Sequence, residues 1–168
     1  ALSGSTMLAN VKAGAVTLSE VDYLTLLGGH MNGSIGEIGA LALILGGIYL
    51  LWRRVISWHI PVAVLGTMAL FGVCVAIPEG GATLWQLPLF HLLAGGALLG
   101  AIFMATDYST SPMTHKGMII YGGGIGLITM VIRLWGAYPE GMSFAIFIMN
   151  AVTPLINKYC RPKRFGTK

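Results

Sequence analysis

The chain has 168 residues, of which 55% are apolar and only 10% charged, against roughly a quarter charged in an ordinary soluble domain. With a mean hydropathy of +0.78, this excludes a soluble globular enzyme, a disordered tail and a disulfide-stapled secreted module, and it points to an integral membrane protein. The net charge of +4 comes from basic residues beside apolar runs, where they act as topology signals and not as an aromatic-interleaved nucleic-acid patch; Cys74 and Cys160 are too few and too far apart for a disulfide framework or a thiolate metal site.

Residues 1–33 come first. No basic leader precedes a long apolar core, so the stretch reads as an extracytoplasmic loop with short helical pieces and not as a signal peptide. It opens on Ser3-Gly4-Ser5-Thr6-Met7-Leu8-Ala9. Taken alone, Ser-Gly-Ser-Thr is a turn whose hydroxyls bond nearby backbone or cap a helix. A threonine hydroxyl can also serve as a covalent tether, and the residues alone leave that choice open. Further on, Ser19 and Asp22 have capping-box spacing before an interfacial helix over 23–27, which Gly28-Gly29 would stop.

A spanning helix needs about 20 apolar residues, because each adds about 1.5 Å and the hydrocarbon core is about 30 Å thick. Five segments meet or approach that length: 34–52, stopped by Arg53-Arg54; 59–77, ended by Pro78; 89–106; 117–135; and a shorter 142–156 containing Asn150, Thr153 and Pro154. Residues 157–168 form a basic tail. The fold class is therefore all-α, a polytopic membrane protein with five transmembrane helices over 34–156, since backbone groups in lipid must pair within helices. Arg53, Arg54, Lys116, Lys158, Arg161, Lys163, Arg164 and Lys168 all fall on one side, which the positive-inside rule makes cytoplasmic. The N-terminal loop faces the periplasm or exterior and the C-terminus the cytoplasm, as an odd number of spans requires. The outer side receives Lys12, Glu20, Asp22, Glu79 and Glu140. Arg133, near the outer end of the fourth span, is expected to snorkel outward.

Intramembrane ionisable residues are expensive and are functional candidates by default. Glu37, just inside the first span, and Asp107, ending the third, are candidates for an ion path. Their plainer readings are a carboxylate at a helix start and a turn residue in the 107–112 loop. The runs Gly95-Gly96 and Gly122–Gly126 read as close helix packing. Trp52, Trp58, Trp85 and Trp135 fall near span ends, as interface anchors do, and Asn150 and Thr153 can bond across helices. His30, His59, His91 and His115 lack the spacing of a helical metal pair, so no metal is expected. No nucleophile–base–orienter set is present, so no catalytic residue is assigned.

In order along the chain stand Ser3-Gly4-Ser5-Thr6 with Leu8-Ala9, Gly33-Ser34-Ile35-Gly36-Glu37, Trp58-His59-Ile60-Pro61, Ala105-Thr106-Asp107, Thr110-Ser111-Pro112, Lys116-Gly117, Ile132-Arg133-Leu134-Trp135, Tyr138-Pro139-Glu140-Gly141, Met149-Asn150-Ala151 and Pro154-Leu155-Ile156. This series resembles, end to end, the NqrB/RnfD family. Its members are the RnfD subunit of the Rnf complex, a membrane-bound ion-translocating ferredoxin:NAD oxidoreductase, and the NqrB subunit of the sodium-pumping NADH:quinone reductase. Family members are about twice as long, and this chain looks like their C-terminal half. The resemblance implies one half of a urea-transporter-like inverted-repeat bundle in the inner membrane. It implies FMN bound covalently through its phosphate to Thr6, within a cofactor-binding motif of Ser3, Gly4, Ser5 and Thr6. Here Ser5 replaces the usual alanine and Met7 the usual proline. A tethered flavin would carry electrons at the outer face while the complex moves Na+ or H+. The family also implies a riboflavin, which the sequence does not place, and as partners the flavin-bearing RnfG subunit and the membrane subunits RnfA and RnfE. The alternatives are a transporter or channel half, or a scaffolding subunit, with no redox group.

Overall fold

The computed structural model describes residues 6–15, 17–18, 21–28, 39–78, 80–81, 83–138 and 140–161. Among them every regular element is helical. In chain order these are α1 (Met7–Lys12), α2 (Tyr23–Gly28), α3 (Ala40–Trp52), α4 (His59–Ala76), α5 (Thr83–Leu93), α6 (Ala97–Met104), α7 (His115–Trp135) and α8 (Met142–Tyr159). The helix over 23–27 is present as α2. Asp22 serves at its start, its Oδ1 accepting from Leu24 N at 3.1 Å; Ser19 lies outside the described residues, as do Ser3, Gly4, Ser5, Glu37 and the tail from 162 on.

Two of these helices, α4 and α7, are long and apolar enough to cross a bilayer, and α5 with α6 makes a third if that bent pair is one crossing. The described part of α3 is apolar but only 13 residues long, about 20 Å at 1.5 Å per residue. Helix α7 starts two residues before the expected span because Thr114 caps it, its Oγ1 accepting from Gly117 N at 3.1 Å.

The third span, expected to be continuous over 89–106, is not. It is bent by 63° between α5 and α6. Gly95 sits at the bend with φ +65°, a conformation that costs glycine nothing and other residues a Cβ clash. A Cβ at Gly95 would also run into the Glu140 carboxylate and come within 3.0 Å of Arg133 Nη2. The glycine pair therefore breaks a helix, where close packing had been expected. The last turn of α6, Gly100–Met104, is π-wound.

Packing is organised around α7, which lies most extensively against α4 and then α8. The α4–α7 contact is close because of glycine. A Cβ on Gly122 would stand 2.9 Å from Ile60 O, and one on Gly126 2.7 Å from Val64 O, so backbone meets backbone there. Tyr121, Ile125, Met130, Val64 and Met68 fill this core at 0% exposure. A second cluster joins α1, α2, α3 and α5 through Leu8, Leu26, Ala40 and Phe90. Large apolar side chains also point outward: Leu45 and Ile48 on α3, Leu70 on α4, Leu127 on α7, Phe147 and Leu155 on α8. A protein in water would not expose such faces on every long helix; one surrounded by lipid does. Across helices the Tyr121 hydroxyl donates to Asn150 Oδ1, whereas Thr153 turns back and donates to Met149 O of its own helix at 3.0 Å.

Candidate functional site

Thr6 ends the stretch of chain before α1. Its backbone is extended (φ −65°, ψ 152°) and its Oγ1 accepts from Ala9 N at 3.2 Å, which makes it the N-cap of α1. The hydroxyl is half-buried. One of its two lone pairs is used, and an ester at this oxygen would keep the acceptor.

Helix α1 is held down at both ends of its apolar face. Leu8 is buried in the second cluster. Lys12 reaches the C-terminus of α7, where Nζ donates to Gly136 O at 2.5 Å, Tyr138 O at 2.8 Å and Ile132 O at 3.3 Å. Ile132 O also accepts from Gly136 N at 2.8 Å, while Gly136 O and Tyr138 O lie just past the last turn, so the ammonium sits at the negative pole of the α7 dipole. Helix α2 docks on α3 and α5, with the Tyr23 and Trp85 rings 5.8 Å apart.

Directly beneath lies the break. Arg133 does not snorkel outward: it is 3% exposed. Its Nη1 donates to His91 O at 2.6 Å and its Nη2 to Ala94 O at 3.3 Å, carbonyls at the end of α5. Nη2 also pairs with Glu140 Oε1 at 2.9 Å. The other carboxylate oxygen, Oε2, accepts from Gly96 N at 3.1 Å, where α6 begins. One ion pair thus caps both broken ends, cation on the carbonyl end and anion on the amide end, each matched to the local dipole. The outward position was expected because a lone cation near a span end normally finds water; here the bend supplies carbonyls and Glu140 supplies the counter-charge.

A cavity of about 210 Å³ lies between α1, α5 and α7, lined by Leu8, Lys12, Phe90, His91, Arg133 and Leu134 among others. Arg133 Nε and His91 Nδ1, both buried, have no hydrogen-bond partner among the described residues, although buried polar atoms are nearly always paired; the Arg133 side chain itself is fully buried.

At the opposite end, Asp107 is exposed in the loop before α7. Its Oδ2 accepts from Ser109 Oγ at 2.5 Å and Thr110 Oγ1 at 3.1 Å. The Ser109 bond first, and then that of Thr110, hold its carboxyl below the usual range. The structure thus gives Asp107 the partners of a turn residue and sets it at the other end of the helices from Thr6. Glu37 lies outside the described residues. Among those residues no three His, Cys, Asp or Glu side chains converge as metal ligands.

The chain matches the NQR2, RnfD, RnfE family over residues 1–166. The chain belongs to that family. It is 48% identical over 164 residues to the D component of the Na(+)-translocating ferredoxin:NAD(+) oxidoreductase complex of Acetobacterium woodii, covering 96% of this chain and 48% of that protein. It is 47% identical over 150 residues to the D component of the proton-translocating ferredoxin:NAD(+) oxidoreductase complex of Clostridium ljungdahlii, covering 87% and 44%. To the D component of the ion-translocating oxidoreductase complex of Pseudomonas paraeruginosa it is 41% identical over 139 residues, covering 82% and 40%. The chain therefore spans about half the length of these relatives. For this member of the NQR2, RnfD, RnfE family, sequence reasoning overlooked Lys12 as a helix cap and the Arg133–Glu140 pair as a clamp. The available signal was an arginine within an apolar run followed, one loop later, by a carboxylate.

Proposed function

We propose that this chain is the flavin-bearing C-terminal half of a membrane electron-transfer subunit in an ion-translocating ferredoxin:NAD oxidoreductase complex. FMN is esterified through its phosphate to Thr6, with Ser3, Gly4 and Ser5 completing the motif. The match to the family over nearly the whole chain carries this reading. The surroundings of Thr6 support the reading: the residue is half-buried at a helix start, and a cavity of about 210 Å³ lies beside α1.

When bound, the flavin supplies one- and two-electron chemistry. The chain's own residues do the rest. Thr6 fixes the tether, Leu8 and Lys12 hold α1 against the bundle, and the Arg133–Glu140 pair holds the broken span beneath it. Electrons pass between this subunit and the flavin-bearing RnfG subunit outside the membrane, and on through the membrane subunits RnfA and RnfE, coupled to movement of Na+ or H+. Asp107 and Glu37 are the ion-path candidates, and riboflavin is a second candidate cofactor. We read α3, α4, α5 with α6, α7 and α8 as five crossings of the inner membrane, one half of an inverted repeat like that of urea transporters. Outward-facing apolar side chains on these helices support this. The cationic end of the bundle faces the cytoplasm by the positive-inside rule, leaving Thr6 outside.

The test is ultraviolet illumination of a denaturing gel of the full-length subunit, made together with the flavin-transferring enzyme. A fluorescent band that disappears with Thr6→Ala is expected; fluorescence that survives the change refutes the anchor. A second reading, a scaffolding subunit or transporter half with no redox group, draws on the Thr6 bond to Ala9 N. It predicts an unmodified mass for the wild-type chain.

A further inference from the structure

A cleft of about 650 Å³ opens at the end of the bundle remote from Thr6, between the 53–58 turn and the start of α7. This size is that of small-molecule sites. Its depth in the bilayer is marked by side chains around it: Trp52, Trp58, Tyr108 and Tyr159 are all more than half exposed at this end, as the aromatic belt at headgroup level is.

The cleft is built from two kinds of wall. Leu51, Ile60 and Met118 make an apolar floor; Arg54, His115 and Ser111 stand among its polar groups. Arg54 has φ +55°, the one positive φ of a non-glycine among the described residues. The turn is fixed by Arg54 N donating to Leu51 O and Val55 N to Leu50 O, both at 3.0 Å, and by the Tyr108 hydroxyl donating to Val55 O. The two backbone bonds are the usual close of a helix C-terminus with a left-handed residue just past its cap, and they fix Arg54 at the edge of the cleft. Trp58, His59 and His115 stack in sequence with ring centroids 4.2 Å apart, and His59 Nδ1 is buried without a partner.

Charge identifies the occupant. Arg53, Arg54, Lys116, Lys158 and Arg161 lie at this end, and among the described residues Asp107 is the single carboxylate there. The N-termini of α4 and α7 and the C-termini of α3, α6 and α8 lie at this end, so the helix dipoles offset one another and the basic side chains set its sign. A soluble anion would use these groups and waste the apolar floor. A phospholipid uses both. We propose that this cleft binds an anionic phospholipid, its phosphate on Arg54 and the polar rim and its glycerol and first acyl carbons on Leu51, Ile60 and Met118. Basic pockets between helices at the cytoplasmic face are the usual seat of such headgroups.

The test is native mass spectrometry of the full-length subunit in its complex, released from bilayers of equal phosphatidylglycerol and phosphatidylcholine. One retained phosphatidylglycerol per subunit is expected, with no retained phosphatidylcholine at that site. Arg54→Asn keeps the left-handed turn, which asparagine tolerates, and removes the charge; retention should weaken by about tenfold or more. Arg54→Lys should restore most of it. Equal retention of the two lipids by the wild type overturns the proposal without any variant. So does unchanged retention in Arg54→Asn. Displacement of the lipid by inorganic phosphate makes this a free-phosphate site and also overturns it.

Discussion

Breaking the clamp at the bend gives the most quantitative expectation. The Arg133 side chain is fully buried, whereas that of Glu140 is 31% exposed. Removing one partner of a buried pair costs about 3–5 kcal/mol, because the other charge is left uncompensated. The two single changes should therefore differ. In Glu140→Ala the stranded charge is the guanidinium, with no water beside it, and Gly96 N loses its acceptor; the full cost of about 3–5 kcal/mol applies. In Arg133→Met the stranded carboxylate is partly wetted, so its share is reduced. The loss there is about 1–3 kcal/mol, mainly from the unpaired His91 and Ala94 carbonyls. The double variant should be no worse than Glu140→Ala alone, giving a favourable coupling of about 1–3 kcal/mol. Equilibrium unfolding of the full-length subunit in lipid–detergent mixtures, followed by tryptophan fluorescence, measures all four corners of the cycle. Two singles within about 0.5 kcal/mol of wild type, or strict additivity, would refute the clamp.

The remaining expectations are simpler. Gly126→Leu should separate α4 from α7, because its Cβ alone would meet Val64 O at 2.7 Å; a loss of about 1–3 kcal/mol or more in the same unfolding assay is expected. Lys12→Met should leave Gly136 O and Tyr138 O without the ammonium, costing about 1–2 kcal/mol, and should expose α1 to protease before any global loss. Asp107 gives a pH signature of fixed sign. Its carboxyl is held low by Ser109 and Thr110, so its contribution to loop order is complete above the unfolded value of about 3.9 and is lost as pH falls through the folded value. Faster amide exchange over 107–112 should appear only below that range, and Asp107→Asn should remove the acid step.

What was legible in the sequence follows from how each feature is encoded. Crossing helices α4 and α7 are set by apolar length, which is local, and hydropathy located both within two residues. Helix α2 was readable from Asp22 and Gly28-Gly29 for the same reason, with Ser19 outside the described residues. The bend between α5 and α6 was not. Gly95-Gly96 is equally suited to close packing and to a positive φ, and only the carbonyls and amides that need a partner in three dimensions separate the two. Arg133 misled for a related reason: sequence shows a cation near a span end but cannot show that a broken helix has turned His91 O and Ala94 O toward it. The His59–His115 stack joins distant segments and has no local signature. Thr6 is the reverse case. Its place at a helix start is local and visible, while the tether proposed for it comes from family resemblance and not from any local signal.

The position of Lys12 joins these observations into one mechanical unit. Thr6 caps α1, and α1 ends on Lys12. Lys12 binds Ile132 O and Gly136 O, on either side of the last turn of α7. Arg133 sits inside that turn and binds both ends of the bend with Glu140. A group attached at Thr6 is therefore connected to the broken span through one short helix and one ion pair, with no flexible loop between them. Two properties follow. Helix α1 stays against the bundle while Lys12 holds the α7 carbonyls, which fixes the position of Thr6 relative to α7. Arg133 is then the residue that decides whether the break stays capped, since among the described residues it alone binds both His91 O and Ala94 O at the end of α5 and Glu140 at the start of α6.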